Sequence, residues 1–149
     1  MGEGVSKLRI RRARPRDATR MAGLTTQLGY PVTAQQMASR LKAVLRAKTG
    51  ACFVAETPEE GVIGWVHVSV KPLLEVDRRA ELDGLVVDEK VRSRGTGAGL
   101  LEAAEKWAKA IGAKGMSVRS NVIRERAHQF YLRQGYQHSK TQKSFHKPL

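Results

Sequence analysis

The run Arg92-Ser93-Arg94-Gly95-Thr96-Gly97-Ala98-Gly99-Leu100-Leu101 is a basic, glycine-rich turn between two ordered patterns. Before it, Ala80-Glu81-Leu82-Asp83-Gly84-Leu85-Val86-Val87 reads as a strand; after it, Leu100, Ala104, Trp107 and Ile111 recur at helical spacing. A strand that enters a helix through such a turn leaves first-turn N–H groups without intrahelical partners, and the helix dipole favours negative charge there. Gly95, Gly97 and Gly99 have no side chain to hold a ligand off the backbone, and Arg92 and Arg94 add fixed positive charge. The turn is therefore an anion site suited to a pyrophosphate.

Its spacing excludes two common nucleotide loops. No Gly-x-x-x-x-Gly-Lys-Ser/Thr run is present, and counting from Gly95 and Gly97 the third position of a Gly-x-Gly-x-x-Gly fingerprint is Leu100. Arg92-x-x-Gly95-x-Gly97, following Leu85-Val86-Val87, instead resembles the acetyl-CoA-binding motif of the GNAT superfamily of N-acetyltransferases. Downstream, Ala127-His128-Gln129-Phe130-Tyr131-Leu132-Arg133-Gln134-Gly135-Tyr136 is similar to that family's second signature, in the family's order.

The chain of 149 residues is long enough for one core of ordinary size. A hydrophobic share of 41 % rules out global disorder, and no apolar run approaches the roughly 20 residues of a membrane span. Residues 1–6 lack the apolar stretch of a secretory signal and are expected to be a flexible lead-in to one domain over 7–149; cytoplasm is the expected location. The lone Cys52 forms no intrachain disulfide and is expected to be a buried strand residue. Nothing has metal-ligand spacing, so no metal is expected. The net charge of +13 suits an anionic cofactor and equally a polyanion. A basic nucleic-acid-binding domain is thus an alternative, though no recognition motif of that class is visible.

Along the chain, alternation predicts an opening strand over 8–11, and Asp17 is expected to cap a helix carrying Met21, Leu24 and Leu28. Thr33 is expected to cap a second helix with Met37, Leu41, Val44 and Leu45. Strands over 52–55 and 62–70 flank a turn at 57–61, and the 80–87 strand completes a meander. A helix ending at Gly112, a strand over 116–119, a helix over 124–133 and two closing strands over 135–138 and 142–146 follow. This is a mixed α/β (α+β) order. The resemblance implies the acyl-CoA N-acyltransferase fold: a central, mostly antiparallel sheet of about six or seven strands flanked by about four helices. In that fold two neighbouring strands splay to admit the cofactor.

The resemblance also implies an activity: direct transfer of acetyl from acetyl-CoA to a primary amine of a small molecule or protein, in a ternary complex. The backbone of Leu85, Val86 and Val87 would then pair with the pantetheine arm, and an N–H there would polarise the thioester carbonyl. Arg92, Ser93, Arg94, Gly95, Thr96, Gly97 and Ala98 would hold the pyrophosphate. Tyr131 takes the position of the thiolate-protonating tyrosine, a role a phenol with pKa near 10 can fill. Glu81 and Asp83 are alternative bases for the amine proton; two apart on a strand, they are expected on the face that carries Leu85 and Val87. Glu81 has the spacing of the base in the histone-acetylating branch, while pairing with nearby arginines is the plain alternative for both. Arg124 stands where the family usually has an asparagine, and Asn121 lies three residues earlier; both are candidate cofactor contacts. A homodimer is common in the family, and a non-catalytic acyl-CoA sensor is the remaining alternative.

Overall fold

A computed structural model describes residues 7–92, 94–120 and 122–149, so residues 1–6, Ser93 and Asn121 lie outside the described residues. Two compact units appear, one running to Val118 and one from Arg119 to Leu149.

The first unit is built on a sheet of five strands in sequence order: β1 (Arg9–Arg12), β2 (Gly50–Thr57), β3 (Gly61–Lys71), β4 (Arg79–Val87) and β5 (Met116–Val118). The first four pair antiparallel and β5 joins β4 in parallel. Between β1 and β2 lie α1 (Ala18–Gln27) and α2 (Ala34–Arg46), and α3 (Thr96–Ala110) connects β4 to β5. A strand's side chains alternate between faces, and β3 shows both packings in successive residues. A methyl group on Gly64 would meet Leu100 and Thr96 of α3, whereas the Trp65 indole N–H donates to Thr25 Oγ1 of α1 at 3.1 Å. Met21, Leu24, Met37 and Leu41 thus bury against Cys52, Val54 and Val86 on one face. Leu100, Leu101, Ala104 and Ala108 bury the apolar side of α3 against the other. Each large aliphatic side chain so buried contributes roughly 1.5–3 kcal/mol.

Thr33 caps α2 as expected, its hydroxyl accepting from the Gln36 N–H at 3.0 Å while the Gln36 side chain accepts from the Thr33 N–H at 2.9 Å. Asp17 does not cap α1. Its carboxylate accepts from the Arg14 N–H at 2.7 Å and takes two hydrogen bonds, at 2.9 and 3.0 Å, from the Arg11 guanidinium. The buried cation drew it away: Arg11 also donates to Glu56 at 2.9 and 3.2 Å, tying β1, β2 and the entry to α1 together. Cys52 is buried in β2 as expected, and its thiol is pushed up to about 12, first by burial and then by the neighbouring Asp17 charge.

The two expected closing strands, over 135–138 and 142–146, are absent: the described residues of the second unit contain α4 (Glu125–Arg133) and no strand. A strand is held by ladder bonds and cross-strand pairs, and alternation supplies neither. Every residue from 137 to 149 is exposed, and Lys140, Lys143 and Lys147 keep the segment charged. The sheet therefore has five strands among the described residues rather than six or seven.

Replacing Arg11 by Met should cost about 3 kcal/mol at pH 7, because it strands two carboxylates. Burial raises Asp17, but the hydrogen bonds from Arg11 and Arg14 outweigh it, and the Arg11 hydrogen bond lowers Glu56. Lowered carboxyls contribute stability that is complete above their unfolded values of about 4 and is lost as pH falls through the folded ones. Urea denaturation of wild type and Arg11→Met should show the gap narrowing as pH drops below about 4.

Candidate active site

β4 is where the sheet stops being continuous. It pairs with β3 from Arg79 to Val87, but with β5 only at Ala80, Leu82 and Glu81 between them, opposite Met116, Val118 and Ser117. Beyond Leu82 no described strand covers that edge of β4, so its outward amide groups are available to an extended ligand. Leu85, Val86 and Val87 all lie on this uncovered stretch.

The ladder to β3 slips by one residue within the same strand. Leu82 sits opposite Val68 and Gly84 opposite His67, which leaves Asp83 as the extra residue of a bulge. The slip exchanges the faces. Glu81 lies opposite Ser69, on the side of His67 and Trp65 that α1 and α2 cover, while Leu85 lies opposite Val66, on the α3 side. The expectation that Glu81 and Asp83 share a face with Leu85 is therefore corrected, because alternation cannot reveal an inserted residue. Gly84 has a steric reason: a Cβ there would come within 2.8 Å of two Trp65 ring carbons.

After β4, the chain makes a 3₁₀ turn over Glu89–Val91. Asp88 starts it by accepting from the Lys90 N–H at 3.0 Å and is anchored by Arg20 at 2.9 Å, while the Arg20 Nε donates to the Val62 carbonyl at 2.8 Å. Burial alone would raise the Asp88 carboxyl, but these donors and Gln27 hold it below its ordinary value. Val91 is buried and pins the turn.

The glycine-rich loop then begins α3 as expected. Gly95 is its N-cap at φ +83°, a left-handed conformation that suits glycine, and no side chain caps the helix. Its first-turn N–H groups and dipole remain for an anion. The Thr96 hydroxyl is buried in the same turn, with the residue 2 % exposed and its Oγ1 without a hydrogen-bond partner. Buried hydroxyls are seldom left unsatisfied, so this orphan fits a bound phosphate group. Arg94 lies 2.9 Å from Glu60 and Arg92 lies 3.9 Å from Glu89. Such exposed pairs are worth at most about 1 kcal/mol and yield readily to a multiply charged anion. Gly99 faces Ile10 and Leu8 near β1, where an added Cβ would make ordinary contacts at 3.6–3.9 Å. Gly97 and Ala98 are half-buried in the first turn of α3, and Ser93 lies outside the described residues.

In the second unit, Tyr131 sits in α4 with its ring edge-on to Phe130 at 5.2 Å and to Tyr136 at 5.9 Å. Burial raises its phenol above the ordinary value against a smaller lowering by Arg124, so the group keeps its proton at neutral pH. Arg124 is the N-cap residue immediately before α4, and Asn121 lies outside the described residues. The Ser120 hydroxyl is buried without a hydrogen-bond partner.

Sequence reasoning missed His67. Its Nε2 lies 3.7 Å from Asp83 Oδ2, a meeting created by the slipped register of two strands, and no motif or periodicity signals it.

Comparison with known proteins is consistent with this geometry. The family model described as the acetyltransferase (GNAT) family matches residues 15–136. The aminoglycoside N(6')-acetyltransferase type 1 of Klebsiella aerogenes is 24 % identical over 146 residues, covering 94 % of this chain and 96 % of that protein. Among solved structures, aminoglycoside N-acetyltransferase AAC(6')-Iy in complex with CoA superposes with a TM-score of 0.85 at 20 % identity, covering 97 % of each chain. A transcriptional regulator from Bacillus halodurans C-125 also superposes at 0.85, with 22 % identity, 95 % of this chain and all of that one.

Gly84→Val should push the Trp65 indole off β4 and cost about 1–3 kcal/mol. A red-shifted tryptophan emission together with a lowered denaturation midpoint checks this; an unchanged spectrum would show that the ring tolerates the side chain.

Proposed function

The chain belongs to the acetyltransferase (GNAT) family, and from that premise we propose that it moves an acetyl group from acetyl-CoA directly to a primary amine. The observation that carries the reading is the uncovered edge of β4 running, through one turn, into an uncapped helix whose first residue buries an unpartnered hydroxyl. An extended chain ending in a pyrophosphate satisfies both parts at once: amide pairing along Leu85–Val87, then phosphate at Gly95, Thr96, Gly97 and Ala98. Arg92 and Arg94 lie beside that turn to exchange their carboxylate neighbours for phosphate.

The chemistry asked of the remaining residues is proton movement. An ammonium is not a nucleophile, so a carboxylate, Glu81 or Asp83, takes one proton from it. The freed lone pair forms the C–N bond and the C–S bond breaks. Tyr131 gives the departing sulfur its proton and recovers one as the amide nitrogen loses its second; one proton per turnover reaches solvent. A phenol raised by burial is fully protonated at neutral pH, as this role needs. The acceptor class to test first is the aminoglycosides, after the Klebsiella relative, followed by smaller amines. The net charge of +13 works against a polycation at long range, so capture would rest on the local carboxylates.

Calorimetric titration should give saturable, one-per-chain binding of acetyl-CoA, with ATP at least about tenfold weaker, or roughly 1.4 kcal/mol. Equal, salt-sensitive binding of both would reduce the glycine turn to a general anion trap.

Tyr131→Phe should lower kcat about 100-fold or more and leave acetyl-CoA affinity within about twofold. Because the phenol is raised, wild-type kcat should hold until above about pH 10 and then fall as Tyr131 ionises. The variant, assayed by thiol release across pH, should lack that limb.

A further inference from the structure

Resting on the acetyl-transfer reading, we propose that Asp83 is the carboxylate that accepts the acceptor's ammonium proton and that His67 is its positioning residue. By sequence spacing Glu81 is the nearer match to the histone-branch base, but the ladders favour Asp83. Glu81 lies within the stretch of β4 paired on both sides, opposite Ser69 of β3 and Ser117 of β5. Asp83 is the first residue after the last β4–β5 pair, where the edge becomes uncovered, and it is the unmatched residue of the bulge. It stands two residues before Leu85, roughly 7 Å along the strand from where the acyl-carrying arm would begin to pair.

Its neighbour is unusual for this chain. Lys and Arg outnumber Asp and Glu by 27 to 14, and Asp17, Glu56, Glu60 and Asp88 each lie within 3 Å of an arginine. A carboxylate clamped by a guanidinium is a poor base, because the ion pair favours its charged form. Asp83 instead has the His67 imidazole at 3.7 Å, a gap that a hydrogen bond tightening in the ternary complex would close, and that bond would orient the carboxylate. The imidazole is itself placed by strand register, opposite Cys52 on one side and Gly84 on the other. Other titratable and charged groups come from the elements packed around the pair. On that face Glu81 comes from β4, Cys52 from β2 keeps its thiol proton at neutral pH, and Arg20 of α1 is held by Asp88. Arg40, Lys42 and Arg46 of α2 are exposed.

The step moves one proton from the ammonium nitrogen to Asp83, which releases it to solvent after the C–N bond has formed and the C–S bond has broken. An enzyme lacking this base must wait for the small fraction of acceptor that is already neutral. That fraction grows tenfold per pH unit up to the amine's own pKa.

The test uses the full chain. A panel of kanamycin, neamine and 1,3-diaminopropane, followed by thiol release, supplies the acceptor, with acetyl-CoA affinity measured in parallel. Asp83→Asn should lose about 100-fold in kcat at pH 7, keep acetyl-CoA affinity within about twofold, and regain activity about tenfold per pH unit on going alkaline. Glu81→Gln should lose less kcat than Asp83→Asn and show no tenfold-per-pH-unit recovery on going alkaline. His67→Gln should lose about tenfold in kcat with KM for acetyl-CoA unchanged, and His67→Gln added to Asp83→Asn should cost nothing further. A deficit in Asp83→Asn that is the same at every pH, or a larger loss in Glu81→Gln, overturns the assignment. Wild type that binds acetyl-CoA but acetylates none of the three amines overturns it as well, while wild type that fails to bind acetyl-CoA overturns the transfer reading beneath it.

Discussion

The unequal pairing of β4 is the constraint on which the candidate site depends. One edge of the strand is bonded to β3 along its whole length, and the other is bonded to β5 for three residues only. Backbone amides in a protein interior must find partners, so a strand held rigidly on one side and open on the other is a preformed template for an extended ligand. The rigid side is expensive to distort. Trp65 lies across Gly84, and the hairpin partner β3 carries buried side chains on both faces. The edge of β4 beyond Leu82 is held still by the same packing.

The charges of the first unit divide into two kinds. Arg11 and Arg20 are structural: each joins segments distant in sequence, and each holds a carboxylate below its ordinary value. Arg92 and Arg94 make longer or more exposed contacts at the mouth of α3. The first kind contributes stability because each holds a buried carboxylate, Asp17 or Asp88, that needs a matched donor. The second kind contributes little to the fold and can change partners, as an anion site requires. An excess of arginine thus serves two physical ends, and the burial of the carboxylate partner tells them apart.

Much of this was legible beforehand. The Thr33 cap, the helix bearing Met37 and Leu41, the three-strand meander, the glycine turn and the burial of Cys52 all follow from local rules, because the forces behind them act within a few residues. The departures came where a second segment decided the outcome. Asp17 has the right chemistry for a cap, but Arg11 outbids the helix for it. The run from 135 to 146 alternates without acquiring a ladder.

By itself, the sequence determined the family signature, the order of elements through α4 and the anion-binding character of the turn before α3. Each of these is written in spacing, glycine placement and local charge, which survive without knowledge of neighbours. The tertiary structure alone decided which face of the sheet Glu81, Asp83 and Leu85 occupy, that His67 meets Asp83, and where the pairing of β5 ends. These are matters of register between strands far apart in the chain. A single inserted residue changes register, and the pattern of hydrophobic and polar residues along one strand does not record it.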